Sequence, residues 1–267
     1  MNAVTAIFAL TATLYAASGA LFFVHLARGK RPAVIWASRL LGAAVATHIG
    51  FLASDYLVSG RTPLSDIHQA LVVLSLLISL GYLVSMRRAR LTVLGAFITP
   101  VSLLLFLSAG LRGSVPSVPE GVKSAILPLH ISVNVLGIVA FALAFAAAVG
   151  YVIQEQLLRR KRVMGLFQRL PPLDELDSLG LKLVTIGFPL FTLGVVSGTL
   201  WAAELGGMSL RTGQGFALLA WVFFGSVLLA RAAAGWRGRR AAIGTMLGFL
   251  CAVAALGGYL LRDMGGS

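Results

Sequence analysis

The feature that most constrains this chain is a series of apolar runs, at about 4–26, 33–54, 65–86, 91–110, 126–154, 179–204, 213–234 and 240–261. A helix needs about 20 apolar residues to cross a bilayer core of about 30 Å, and each run meets that length. They predict an all-α fold: a polytopic membrane helix bundle with about eight transmembrane helices, forming one integral membrane domain over 1–267 in contact with the lipid bilayer. Composition excludes the soluble alternative, because only 12% of the residues are charged, against about 25% for a soluble domain.

The net charge of +13 raises nucleic acid as a partner. That reading needs basic residues gathered on one folded face beside base-contacting groups. Here they stand in short clusters between apolar runs, so we read them as orientation signals and expect no nucleic acid. Seventeen of the 22 Lys and Arg residues fall on the side that follows the odd-numbered spans, which predicts both termini outside and a place in the inner, cytoplasmic membrane of the cell. No Lys or Arg precedes the first run while Arg28, Lys30 and Arg31 follow it, the reverse of a signal peptide, so it is expected to remain as a span. The single cysteine, Cys251, lies within an apolar run and excludes an internal disulfide or a CxxC relay.

The stretch Leu170–Gly207 carries the most local information. Pro171 and Pro172 open it, and Asp174, Glu175 and Asp177 follow as an acidic turn, expected to be solvated and partly helix-capping. Pro189 is expected to kink the sixth span, and Gly194 and Gly198 form a small-xxx-small step for close helix packing. Before it, Gln154–Leu170 is expected to carry the fifth helix beyond the bilayer until the prolines stop it. Leu173–Lys182 is expected to lie along the interface or to serve as a simple connector.

Ionisable side chains inside apolar spans are costly, so each histidine is a functional candidate. His25 falls at the inner end of the first span. His48, His68 and His130 fall in the outer third of the second, third and fifth spans. Neutral imidazole is a good ligand for haem iron, and two on neighbouring helices can bind a flat macrocycle from opposite faces. The alternative for each is a hydrogen bond to a carbonyl or polar group at a helix end. Arg61, Lys123 and Arg211 in the outer loops are candidates to meet haem propionates.

The order Leu129-His130, Ala140-Phe141-Ala142-Leu143, Leu170-Pro171-Pro172-Leu173-Asp174-Glu175-Leu176-Asp177, Gly187-Phe188-Pro189-Leu190, Gly198-Thr199-Leu200-Trp201-Ala202 and Gly235-Trp236-Arg237-Gly238-Arg239-Arg240 resembles the cytochrome c assembly family. Its members include the CcsA-like haem-handling proteins and HemX-like and YpjD-like membrane proteins. The resemblance covers about 63–262. It implies that His130 is the outward-facing histidine used near the haem iron and that Trp201 precedes a haem-binding tryptophan-rich signature. His68 lies in SDIHQALVVLSLL, similar to an early family stretch whose acidic position is Gln69 here. The tryptophan-rich signature WGxYWxWDxKE is missing, since Trp201 is followed by AAELGGMSLRTGQGFALLAW, and the later family histidines are absent.

The resemblance therefore implies a haem-handling accessory of c-type cytochrome assembly, not itself an enzyme or at most a haem-delivery subunit of a synthase. Haem binding is expected at His130 and His68 as iron ligands, with His48 and Trp201 beside it and other cytochrome c assembly proteins as partners. The alternative is a HemX-like regulator or scaffold, whose Arg159–Arg169 and Asp174–Asp177 segments bind a cytoplasmic partner such as a haem-synthesis enzyme. A transporter is disfavoured, because the spans offer few charged residues to couple ion movement.

Overall fold

In a computed structural model of the protein, residues 3–60, 62–64, 67–86, 89–111, 126–162, 164–204 and 212–265 are described, and among them the secondary structure is helical throughout. The helices are α1 (Ala3–Arg28), α2 (Arg31–Ser59), α3 (Ile67–Ser85), α4 (Gly95–Leu107), α5 (Ile126–Arg159), α6 (Leu166–Arg169), α7 (Leu173–Glu204), α8 (Thr212–Ala234) and α9 (Arg239–Gly265). Single 3-10 turns at Ala89–Leu94 and Ser108–Leu111 flank α4. Eight segments are long and apolar enough to cross a membrane, all of these helices except α6. The chain is an integral membrane protein with an all-α polytopic fold.

Helices α1 to α4 form one group, in which α1 packs on α2 and α4, and α3 on α4. The other group is α5, α7, α8 and α9, built on the α5–α7 and α8–α9 pairs. Helix α5 joins the two by packing against α3 as well as α7 and α9. Its burial follows: Phe141, Ala144 and Ala147 are fully enclosed, and small alanines let three neighbours approach one helix. Peripheral helices instead present Leu57, Ile186 and Leu229 outward, as lipid-facing surfaces require.

The α5–α7 seam is the closest of these contacts and has a legible cause. Along α7, Gly187, Gly194 and Gly198 face Phe141, Asn134 and His130 of α5 in turn. A Cβ at Gly137 would in return lie 3.1 Å from the backbone nitrogen of Phe191. Missing side chains thus let two antiparallel helices meet almost backbone to backbone, as the Gly194–Gly198 step predicts. Phe141 also stacks on Phe224 of α8 with ring centroids 3.6 Å apart, locking the seam to the next helix.

Two expectations at the basic end need correction. Helix α5 stops at Arg159 rather than running on to the prolines. Lys161 adopts φ 54°, and the Arg162 amide closes back onto the Leu157 carbonyl at 2.9 Å, a left-handed termination that leaves only the short α6 before Pro171. Leu173–Lys182 is neither an interfacial helix nor a connector but the first turns of α7, which continues unbroken through Pro189 to Glu204. Its start directly after Pro171 and Pro172, with Asp174 and Glu175 in the first turn, suits the positive end of a helix dipole.

Asp177 departs from the expected solvated cluster. Arg231 of α8 donates to both of its carboxylate oxygens, at 2.9 and 2.5 Å, and the Gly238 amide donates to Oδ1 at 3.0 Å. Arg169 Nη1 donates to the Leu26 carbonyl at 2.9 Å, against Gly29, whose φ of 66° ends α1. At the end that the charge count assigns to one side, α7 is thus tied to α8 and to the turn into α9, and α1 separately to α6.

Candidate functional site

His130 sits in the second turn of α5, at the open end of the α5–α7 seam, where its ring is half-buried. Its Nδ1 lies 2.9 Å from Ser197 Oγ on α7. The Ser197 hydroxyl proton is committed to the Leu193 carbonyl at 2.7 Å, so the serine oxygen accepts and His130 Nδ1–H donates. That tautomer leaves the lone pair on Nε2. One turn further along α5, Asn134 Nδ2 donates to the His130 carbonyl at 2.9 Å and stands 3.3 Å from both ring nitrogens. Equal distances to both put the amide over the ring face rather than in line with either lone pair. A Cβ at Gly198 would stand 2.6 Å from His130 Cε1, so glycine is what allows the ring to lie against α7.

His68 opens α3 and is 1% exposed. Its Nδ1 is 2.9 Å from the Ser108 carbonyl, an acceptor only, which fixes Nδ1–H as donor and again assigns the lone pair to Nε2. Depth relates it to His130. Gly81 of α3 faces Leu143 and Val139 of α5, and the two helices run in the same direction. His68 lies thirteen residues before Gly81, and His130 the same number before Leu143, so at a common rise the two imidazoles occupy one level of the bundle.

His48 is placed differently. It is fully buried among α1, α2 and α4, sharing a 3.0 Å hydrogen bond with the Tyr15 hydroxyl and packing edge-on against Phe106 with centroids 4.5 Å apart. Such surroundings describe a core residue. His25, at the end of α1, meets the Lys30 carbonyl at 3.1 Å across the turn into α2. Trp201 belongs to α7 one turn beyond Ser197 and Gly198, and its side chain lies outside the described residues, as do Arg61, Lys123 and Arg211.

One neighbour of the site carries no sequence signal of its own. Gln69, at the position where the family stretch is acidic, donates to Asp55 Oδ2 of α2 at 2.6 Å, and both residues are buried. A carboxylate from another helix is therefore bound to the residue that follows His68. Only the placement of Asp55 at the outer end of an apolar run hints at it.

Among the described residues no three His, Cys, Asp or Glu side chains converge as a metal site. The donors are isolated imidazoles, the type that haem iron accepts axially rather than the clustered set a bare metal ion takes. Haem fits at His130, which combines partial exposure with a fixed tautomer. It does not fit at His48, whose ring is enclosed by Tyr15 and Phe106.

The comparisons agree with the sequence resemblance. The family model described as Cytochrome C assembly protein matches residues 64–261. The chain belongs to this family. The cytochrome c biogenesis protein CcsA of Gloeothece citriformis is 25% identical over 74% of this chain and 76% of its own length. That of Guillardia theta is 29% identical over 74% of this chain and 73% of its own, and that of Prochlorococcus marinus is 28% identical over 83% and 82%. No solved structure matches. Cytochrome C assembly proteins are thus the setting in which His130 and His68 are to be read, and the regulator alternative gains nothing from these relatives.

Proposed function

We propose that this protein acts in cytochrome c biogenesis by holding haem transiently at the outer end of the bundle, with His130 as the iron ligand; His68 lies at the same level but is 1% exposed, as enclosed as His48, and is not assigned as a second ligand. The observation that carries the proposal is the Ser197–His130 hydrogen bond, which commits Nδ1 and frees Nε2. When bound, haem supplies the group that becomes attached to an apocytochrome. Ser197 holds the imidazole in its ligating tautomer, and Asn134 and Gly198 fix the ring plane.

In this reading the role is delivery rather than bond-making, and other assembly proteins would complete the site and perform the attachment. The protein would work in the inner, cytoplasmic membrane with its His130 end outward. The test is covalent haem attachment in cells. Replacing the chromosomal copy with His130→Ala should abolish haem-stained c-type cytochromes at unchanged membrane levels of the protein. Normal haem staining in that strain would refute the role.

A further inference from the structure

The turn between α8 and α9 and the first residues of α9 read Gly235-Trp236-Arg237-Gly238-Arg239-Arg240; the Gly238 amide ties the turn to Asp177, while the histidine site uses none of its side chains. It borders an open hollow of about 420 Å³, walled on its other side by Tyr151 and Glu155 of α5. The charges here do not balance. Asp177 is taken by Arg231, and Glu155 Oε1 accepts from Arg159 at 2.8 and 3.1 Å. Arg237 and Arg240 form no ion pair with a carboxylate among the described residues, although Arg237 acts on Asp177 at longer range, and Arg239 makes only a long ion pair, 3.9 Å, with Glu155 Oε2. Three guanidinium groups therefore ring the hollow with little to neutralise them.

A second observation bears on the same space. Glu155 is only 9% exposed, and its Oε2 has no hydrogen-bond partner. A buried carboxylate oxygen is costly to leave without a hydrogen bond, and the long ion pair to Arg239 supplies none, so the wall of the hollow calls for a donor as well as an anion. The hollow sits where the apolar windows Gly213–Ala234 and Arg239–Leu260 meet, the place along the chain where two spans reach a membrane surface, and Trp236 is 39% exposed with Arg240 over its ring at 5.9 Å. Aromatic rings prefer that level, and basic pockets between membrane helices bind anionic headgroups there.

We propose that this hollow is a lipid site, taking an anionic phospholipid whose head bears hydroxyl donors, such as phosphatidylglycerol. The phosphate meets Arg237, Arg239 and Arg240, and a headgroup hydroxyl donates to Glu155 Oε2. The site holds the α8–α9 pair against α5 on the basic face, at the opposite end of the bundle from His130.

Native mass spectrometry of the full-length protein in detergent tests this with two lipids of matched chain length. Phosphatidylglycerol should be retained at least about tenfold better than phosphatidylcholine, which lacks both net charge and a donor, and Arg237→Gln with Arg240→Gln should erase most of that preference. Equal retention of the two lipids by the unmodified protein would overturn the proposal without reference to any variant. So would displacement of phosphatidylglycerol by inorganic phosphate at equal concentration, which would assign the hollow to a soluble phosphate compound. Unchanged retention by the double variant would place the lipid elsewhere.

Discussion

Gly198 of α7 lies so close to the imidazole of His130 on α5 that a single methyl group at 198 would stand 2.6 Å from Cε1. His130 is therefore held by the helix seam itself, by a serine on one side and by the absence of a side chain on the other. Ligand geometry and helix packing share the same residues, and most of the expectations below follow from that overlap.

Ser197→Ala removes the acceptor that fixes the His130 tautomer. Loss of such an orienting partner costs about 10- to 100-fold in metal affinity, and haem titration should show a drop of that size with the fold intact. Ser197→Thr retains the hydroxyl and should recover most of it. The tautomer itself can be read from the ring 15N shifts of His130, which should move in Ser197→Ala and not in Ser197→Thr.

The same glycine-to-alanine change should have opposite effects at two places on α7. At Gly194 the added carbon would collide with the Asn134 carboxamide, so Gly194→Ala should destabilise the protein by about 1–3 kcal/mol. At Gly180 nothing lies within 4 Å, and Gly180→Ala should be neutral or stabilising by up to about 1 kcal/mol through helix propensity. Unfolding in mild detergent, followed by circular dichroism, separates them, and equal shifts would contradict the packing described here.

His48 and His130 should respond differently to removal. Tyr15→Phe leaves buried His48 Nδ1 without its hydroxyl partner and should cost about 1–3 kcal/mol of stability. Haem affinity per folded molecule should stay unchanged in Tyr15→Phe and in His48→Gln. A loss of haem signal in His48→Gln at wild-type stability would return His48 to the site.

Asp177 and Arg231 form a pair in which each side chain is about 15% exposed. Removing one partner leaves a largely buried charge, so Arg231→Met should destabilise by about 3 kcal/mol. Asp177→Leu combined with Arg231→Met should cost less than the two single changes added together, a coupling that a double-mutant cycle measures.

Much of the fold is legible in the sequence because its cause is local. The length of an apolar run decides whether it spans, and the eight runs recur as the eight spans with shifts only at their ends. The α5–α7 seam is legible for the same reason, since Gly194 and Gly198 announce a close approach wherever the partner helix lies. The breaks at the basic end are not legible: Lys161 in a left-handed conformation carries no glycine signal, and the proline pair draws attention away from it. Which histidines are core residues was equally hidden. Depth along a helix follows from counting residues, but the enclosure of His48 by Tyr15 and Phe106 depends on how α1 and α4 turn around α2. Asp55 beside Gln69 and Arg231 beside Asp177 are likewise meetings of helices, 14 and 54 residues apart, that no local pattern records.

The central claim is that His130 offers Nε2 to haem iron, and haem titration of the purified protein tests it most directly. The unmodified protein should develop a saturable Soret band at one haem per chain, and His130→Ala should reduce the affinity by at least about tenfold while leaving the unfolding midpoint within a few degrees. Identical titration curves for the two proteins, or no Soret band in either, would contradict it.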